Sequence, residues 1–256
     1  MKLFFRNFGK GQSIIILHGL LGVSDNWVTI GKKLSENYNV FIPDLRNHGR
    51  SEHSDEFDYE NMSDDILEFI QTNKLEDPVL IGHSMGGKLA MNLAVKHPEI
   101  INKIIVVDIS PRKYEISNLH QEVLDTMISI DFNSISSRQE VEELLEEKFE
   151  TKYVKLWILK NLYRKSNNSF VWRPNLEIIR KNLLKIKEEV DSQSSCNSQI
   201  LFIKGGNSDY IVDEDYKIIL NNFPNAEIET IENASHWIHV DKPKELIHII
   251  SEFLKR

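Results

Sequence analysis

An α/β fold, with a mostly parallel central sheet flanked by helices and an inserted helical lid, is what the sequence predicts. Three observations carry that expectation. Short apolar runs alternate along the chain with helical patterns. Most of these runs are apolar at every residue, as strands covered on both faces must be. One long stretch, 112–194, shows helical patterns and no strand. Alternation of this kind packs helices on both sides of a parallel sheet, and the stretch that breaks it reads as an insertion.

The elements follow in order. Met1-Lys2-Leu3-Phe4-Phe5-Arg6 lacks the long apolar stretch of a signal peptide and reads as an edge strand, turning at Gly9 and Gly11 into the first parallel strand. That strand is 13–17, Ser-Ile-Ile-Ile-Leu, followed by a helix at 26–36, a strand at 38–42 and a helix at 61–73. A strand at 78–82 and a helix at 86–96 enclose a glycine-rich turn. The next strand, 102–108, ends in Asp108. Helices are expected at 119–128, 138–149, 153–162 and 176–190. Within the second, Glu140, Glu142, Glu143, Glu146 and Glu147 oppose Val141, Leu144, Leu145 and Phe149 at helical spacing, so the charge run is a solvated face. Strands at 199–204 and 226–231 and helices at 213–222 and 243–255 complete the pattern. Boundaries near Pro111 and the serine-rich loop divide a core of 1–111 and 195–256 from the lid at 112–194.

Composition narrows the function classes. A net charge of −8 with no dense basic stripe argues against nucleic acid as a partner. The single cysteine, Cys196, cannot form an internal disulfide and suits a reducing compartment. No apolar run approaches the length of a membrane span, about 18 residues, so no membrane is expected and a cytoplasmic location is the default. The histidines lack metal-ligand spacing, and no metal or organic cofactor is implied.

The chemistry is concentrated in Val79-Leu80-Ile81-Gly82-His83-Ser84-Met85-Gly86-Gly87. An apolar strand, a G-x-S-x-G turn and a helix place a serine hydroxyl above the end of a sheet, at a helix N-terminus. Such a hydroxyl needs a base, an orienting acid and an oxyanion hole to act as a nucleophile. His236 lies in a loop after the last strand, where a base can reach Ser84; His239 is its nearest rival. Two strands end in a carboxylate, Asp108 and Asp209, and either can orient the imidazole. The oxyanion hole is expected from the backbone N–H of Met85 and of Leu20, with Leu21 as the alternative to Leu20, in the turn His18-Gly19-Leu20-Leu21-Gly22.

With these parts in view, the chain resembles the α/β-hydrolase superfamily from end to end. The resemblance rests on His18-Gly19, on Pro43-Asp44-Leu45-Arg46-Asn47-His48-Gly49-Arg50-Ser51, on Gly82 to Gly87, and on Ala234-Ser235-His236. Within it, the chain looks like the small bacterial esterases related to mitochondrial α/β-hydrolase-domain proteins. The narrower marks are Asp25-Asn26-Trp27, Asp108-Ile109-Ser110-Pro111, Trp172-Arg173-Pro174-Asn175-Leu176, Gly205-Gly206-Asn207-Ser208 and His236-Trp237-Ile238-His239. The resemblance implies an α/β-hydrolase fold and cleavage of carboxylic esters or acyl thioesters, acyl-CoA among them. It bears on the acid as well. The superfamily pattern fits Asp209, the narrower branch fits Asp108, and Asp108 is preferred.

Residue types exclude some relatives. Dehalogenases and epoxide hydrolases of this fold need aspartate at position 84, and dienelactone-type enzymes need cysteine there. Selectivity is expected from the lid, where Leu21, Trp157, Trp172 and Arg173 are the candidate substrate-binding residues, with Met127, Phe132, Leu162 and Tyr163 as further apolar candidates. The partner is expected to be a small acyl ester or thioester, and the protein a monomer or homodimer. The competing function class is a ligand-binding or sensing protein that retains the triad with little turnover.

Overall fold

The computed structural model describes every residue except 102, 116, 191–195 and 197. Its framework is a seven-stranded sheet in the order β1-β3-β2-β4-β5-β8-β9. The strands are β1 (Phe5–Gly9), β2 (Ser13–Leu17), β3 (Asn39–Pro43), β4 (Val79–His83), β5 (Lys103–Val107), β8 (Gln199–Gly205) and β9 (Ala226–Ile231). Only β1 runs antiparallel, pairing with β3 from Phe5 opposite Pro43 to Gly9 opposite Asn39. The other pairs are parallel, so the carboxyl ends of β2, β4, β5 and β8 lie along one edge of the sheet.

Side-chain alternation sends neighbours to opposite faces of the sheet. Ile15 and Leu17 join a core with Leu80 and Leu89, covered by α2 (Tyr59–Thr72), α3 (Met85–Lys96) and α8 (Asp215–Asn222). Ile14 and Ile16 join a second core with Ile30 and Leu246, covered by α1 (Val28–Leu34) and α10 (Pro243–Leu254). Both residues of each pair are fully buried, which is why β2 and β4 read as unbroken apolar runs. A single turn of helix, α9 (Ile238–Asp241), precedes α10.

Between β5 and β8 lie α4 (Asn118–Ser129), α5 (Arg138–Lys148), α6 (Lys152–Leu159) and α7 (Leu176–Lys181). On α5 the apolar stripe faces inward at Val141 and Leu145, while Leu144 is exposed. The insertion is not wholly helical, which corrects the all-helical expectation. β6 (Leu162–Arg164) and β7 (Phe170–Trp172) form an antiparallel hairpin. Asn168 in its turn has φ 67°, a conformation asparagine tolerates better than most residues. The last helix is also shorter than the expected 176–190, because Asn182 caps α7 with its amide donating to Ile178 O at 2.9 Å. The expected boundary at 194/195 lies outside the described residues.

Candidate active site

The turn carrying Ser84 is forced by its neighbours. β4 ends at His83 and α3 begins at Met85, so one residue must reverse the chain. Ser84 does so with φ 53° and ψ −118°, a strained backbone for any residue with a side chain. Glycine on either side makes room. A Cβ on Gly82 would lie 2.2 Å from Gly86 O, and one on Gly86 would lie 2.3 Å from Leu17 O. Ser84 N–H donates to Val107 O at 3.1 Å, tying the turn to the end of β5.

His236 lies in the loop between β9 and α9. Its Nδ1–H donates to Asp108 Oδ2 at 2.8 Å. Asp108 is fully buried and bends the chain away from β5 with φ 53°. Its carboxylate also accepts Gly205 N–H at 2.8 Å and the Ser208 hydroxyl at 2.5 Å, both from the end of β8. Because a carboxylate only accepts, His236 carries its proton on Nδ1 and keeps Nε2 as the basic nitrogen. Asp209 is exposed and forms no hydrogen bond with His236. Tyr210 stacks on the His236 ring, centroids 3.7 Å apart and planes within 15°. His83 Nε2–H holds His236 O at 2.9 Å, and burial pushes the His83 imidazole well below its ordinary range.

Leu20 lines the same cavity as Ser84 and His236, and Met85 directly follows Ser84 in the chain. Met85 opens α3, where the first N–H groups have no helical acceptor. Neither the Leu20 nor the Met85 N–H is taken by a protein acceptor among the described residues. Leu21 differs: its N–H donates to His48 Nε2 at 3.0 Å, so it is not free for an oxyanion. His18 accepts Leu45 N–H in the same manner, at 3.0 Å. Asp44 adds a bond from Ser24 N–H at 2.6 Å. The loop after β3 therefore braces the loop after β2.

Ser84, His236 and Leu20 line one cavity of about 240 Å³. No hydrogen bond joins Ser84 to His236 among the described residues, and such bonds are often long in unliganded enzymes. Leu119 and His120 from α4 and Trp157 from α6 contribute walls from the insertion, and Trp27, Tyr210 and Trp237 contribute walls from the rest of the chain. Of the four expected substrate-binding residues, only Trp157 lines this cavity. Leu21 is buried behind it, its carbonyl held by Asn161 at 2.8 Å. Trp172 turns away, donating to Met127 O at 2.7 Å and packing on Phe132. Arg173 lies 4.5 Å from the Tyr163 ring centre, with its carbonyl against His53. Conversely, Tyr210, Trp237 and His120 were not expected at the cavity. Adjacency to His236 and to Gly-Gly-Asn-Ser could have signalled the first two, but no sequence signal marks His120.

Among the described residues, no group of three or more His, Cys, Asp or Glu side chains is arranged to hold a metal ion. None of the described helices is long and apolar enough to cross a membrane.

Comparisons with known proteins agree with this architecture. The alpha/beta hydrolase fold family matches residues 12–243. The sn-1-specific diacylglycerol lipase ABHD11 of Danio rerio is 36% identical over 255 residues, spanning 96% of this chain and 80% of that protein. Esterase YbfF of Escherichia coli is 28% identical, spanning 99% of both chains. The solved structure of a marine microorganism esterase is 39% identical, covers 98% of this chain and 99% of its own, and superposes with a TM-score of 0.95.

Proposed function

The chain belongs to the α/β-hydrolase family and is a carboxylesterase-type hydrolase, and from that premise we propose that it works through an acyl-enzyme on Ser84. The observation that carries this reading is the 2.8 Å bond from His236 Nδ1 to the buried Asp108, at the wall of the cavity that contains Ser84. With Nδ1 committed, Nε2 takes the Ser84 proton as Oγ attacks the ester carbonyl. The Leu20 and Met85 N–H groups hold the tetrahedral oxyanion. His236 returns the proton to the leaving alcohol or thiol. It then activates water to release the acid, while Asp108 stabilises the imidazolium. Asp209 plays no part in this scheme.

The insertion, 112–194, acts as the lid. It brings Leu119, His120 and Trp157 to the cavity and screens the reaction from water. A cavity of about 240 Å³ walled by aromatic rings favours short or medium acyl groups. Carboxylic esters are the first substrate class, and acyl thioesters, including acyl-CoA, the second.

The test is hydrolysis of p-nitrophenyl acyl esters of graded length by wild type and by Ser84→Ala. Turnover should fall about 10⁴-fold or more in the variant, and the length profile should peak at short chains. Absence of turnover by the wild type on both esters and thioesters, with ligand-induced stabilisation, would transfer the assignment to a binding or sensing role.

A further inference from the structure

His120 brings a polar group to the cavity that the acyl-transfer scheme does not use. It sits in the first turn of α4 and lines the Ser84 cavity from the insertion side. Its Nδ1 faces two neighbours, the Ser117 hydroxyl and, at 3.5 Å, Lys187 Nζ. Ser117 Oγ already accepts the His120 backbone N–H at 3.3 Å as the helix cap, which leaves its own proton to donate. The Lys187 ammonium has donors only. Both neighbours therefore aim hydrogens at Nδ1, and the ring proton must reside on Nε2.

Lys187 itself calls for explanation. It is buried, burial pushes its ammonium down to about 8, and it forms no ion pair among the described residues. Burial of an ammonium carries a desolvation cost. Here the ammonium fixes a tautomer. Burial, with the Lys187 charge second, pushes His120 down to about 3, so the ring stays neutral. No protein acceptor among the described residues takes its Nε2–H.

We propose that His120 is a specificity-determining residue, whose Nε2–H binds an oxygen of the substrate other than the scissile carbonyl. The favoured substrates are then esters bearing a hydroxyl, ether or second ester oxygen close to the reacting bond. Hydrocarbon isosteres leave the donor without its acceptor, and sites built to hydrogen-bond a substrate oxygen discriminate strongly against them. The inference rests on the ester hydrolysis proposed above and adds the polarity of the substrate to it.

The experiment compares kcat/KM on two matched pairs, p-nitrophenyl methoxyacetate against p-nitrophenyl butanoate, and 2-methoxyethyl acetate against butyl acetate. The ratio within each pair is compared between wild type and variant, which cancels the intrinsic reactivity of the esters. His120→Leu should lower the oxygen-to-hydrocarbon ratio about tenfold or more in at least one pair. The hydrocarbon ester is the internal reference for any change that the substitution makes to the cavity wall, and the affected pair identifies the side of the ester that is read. His120→Gln, which can present an N–H near the Nε2 position, should restore most of the ratio. Nitrogen-15 NMR of the imidazole should show the Nε2–H tautomer in wild type, independently of turnover. An unchanged ratio in both pairs, an equal loss on both members, or an Nδ1–H tautomer overturns the proposal. A wild type that turns over none of the four esters fails the hydrolase reading itself, a different result from active enzyme with an unmoved ratio.

Discussion

At the scale of single residues, backbone bends and hydrogen bonds favour one of two carboxylates as the acid of the proposed triad. Asp108 and Asp209 follow the ends of adjacent parallel strands, β5 and β8. Only Asp108 turns inward, with φ 53°, and it accepts from His236, Gly205 and Ser208. Asp108→Asn should therefore reduce kcat on a p-nitrophenyl ester by about 10³–10⁴-fold, because the amide disfavours the tautomer with Nδ1 protonated. Asp209→Asn should leave kcat within a few-fold. A reversed pattern would assign the acid role to Asp209. The sequence could not settle this, since a strand ending in aspartate reads identically whichever way its side chain turns. The strand-turn-helix around Ser84 was legible for the opposite reason. Gly82 and Gly86 have a steric duty that few other residues can meet, and they leave a fixed spacing in the chain. His120 and Lys187 meet only through long-range packing, 67 positions apart, and no local pattern records that.

At the scale of elements, the apolar strands were legible within a residue or two, because runs such as Ile14-Ile15-Ile16-Leu17 and Ile104-Ile105-Val106-Val107 begin and end abruptly against polar residues, Ser13 and His18 in the first, Lys103 and Asp108 in the second. The β6–β7 hairpin was not, since three-residue strands show no period and Leu162 follows directly on a helical pattern. How the insertion is fastened was equally invisible. Lys88, on α3, reaches under both of its ends. Its ammonium donates to Arg112 O at 2.6 Å, to Lys187 O at 3.4 Å, and to Glu188 O. The two ends also bond each other, Tyr114 N–H to Lys187 O and Val190 N–H to Pro111 O, each at 2.9 Å. Burial, with the Lys187 and Arg112 charges after it, pushes Lys88 down to about 7, and these carbonyls offset part of that cost together with the Glu188 and Glu189 charges. Lys88→Met should remove about 1–3 kcal/mol of stability. Amide hydrogen exchange should quicken at 111–115 and 186–190 and stay unchanged in β2, β4 and β5. A uniform change over the whole chain, or none, would show that Lys88 does not act as this clasp.

At the scale of the whole molecule, the insertion and the sheet share one continuous apolar core. Val123, Leu124 and Leu145 from the insertion pack in the same cluster as Leu80 and Leu89. The carboxyl edge of the sheet, where the two meet, is bordered by buried histidines. Burial is the main cause in each: His18 is pushed down to about 4, and His48, His120 and His239 to about 3. All four side chains remain neutral in the fold, while the unfolded chain begins to protonate them near 6.5. The unfolded state therefore binds more protons below that pH, and folding stability must fall as pH drops from about 6.5 toward 4. Above about 6.5 both states hold these rings neutral and the contribution is constant. Each group supplies a slope of up to about 1.4 kcal/mol per pH unit in that window. Four such groups can consume much of a typical folding free energy, about 5–15 kcal/mol, before most carboxylates titrate. Urea midpoints should accordingly drop steeply between about pH 6.5 and 5, with the insertion and the sheet unfolding together. His48→Gln, which keeps an acceptor for Leu21 N–H, should lower stability at neutral pH yet flatten the acid limb by one group's share. A midpoint that stays level from neutral to about pH 5, or a His48→Gln limb as steep as wild type, would mean that these rings are protonated in the fold and that the loops they brace are looser than their hydrogen bonds indicate.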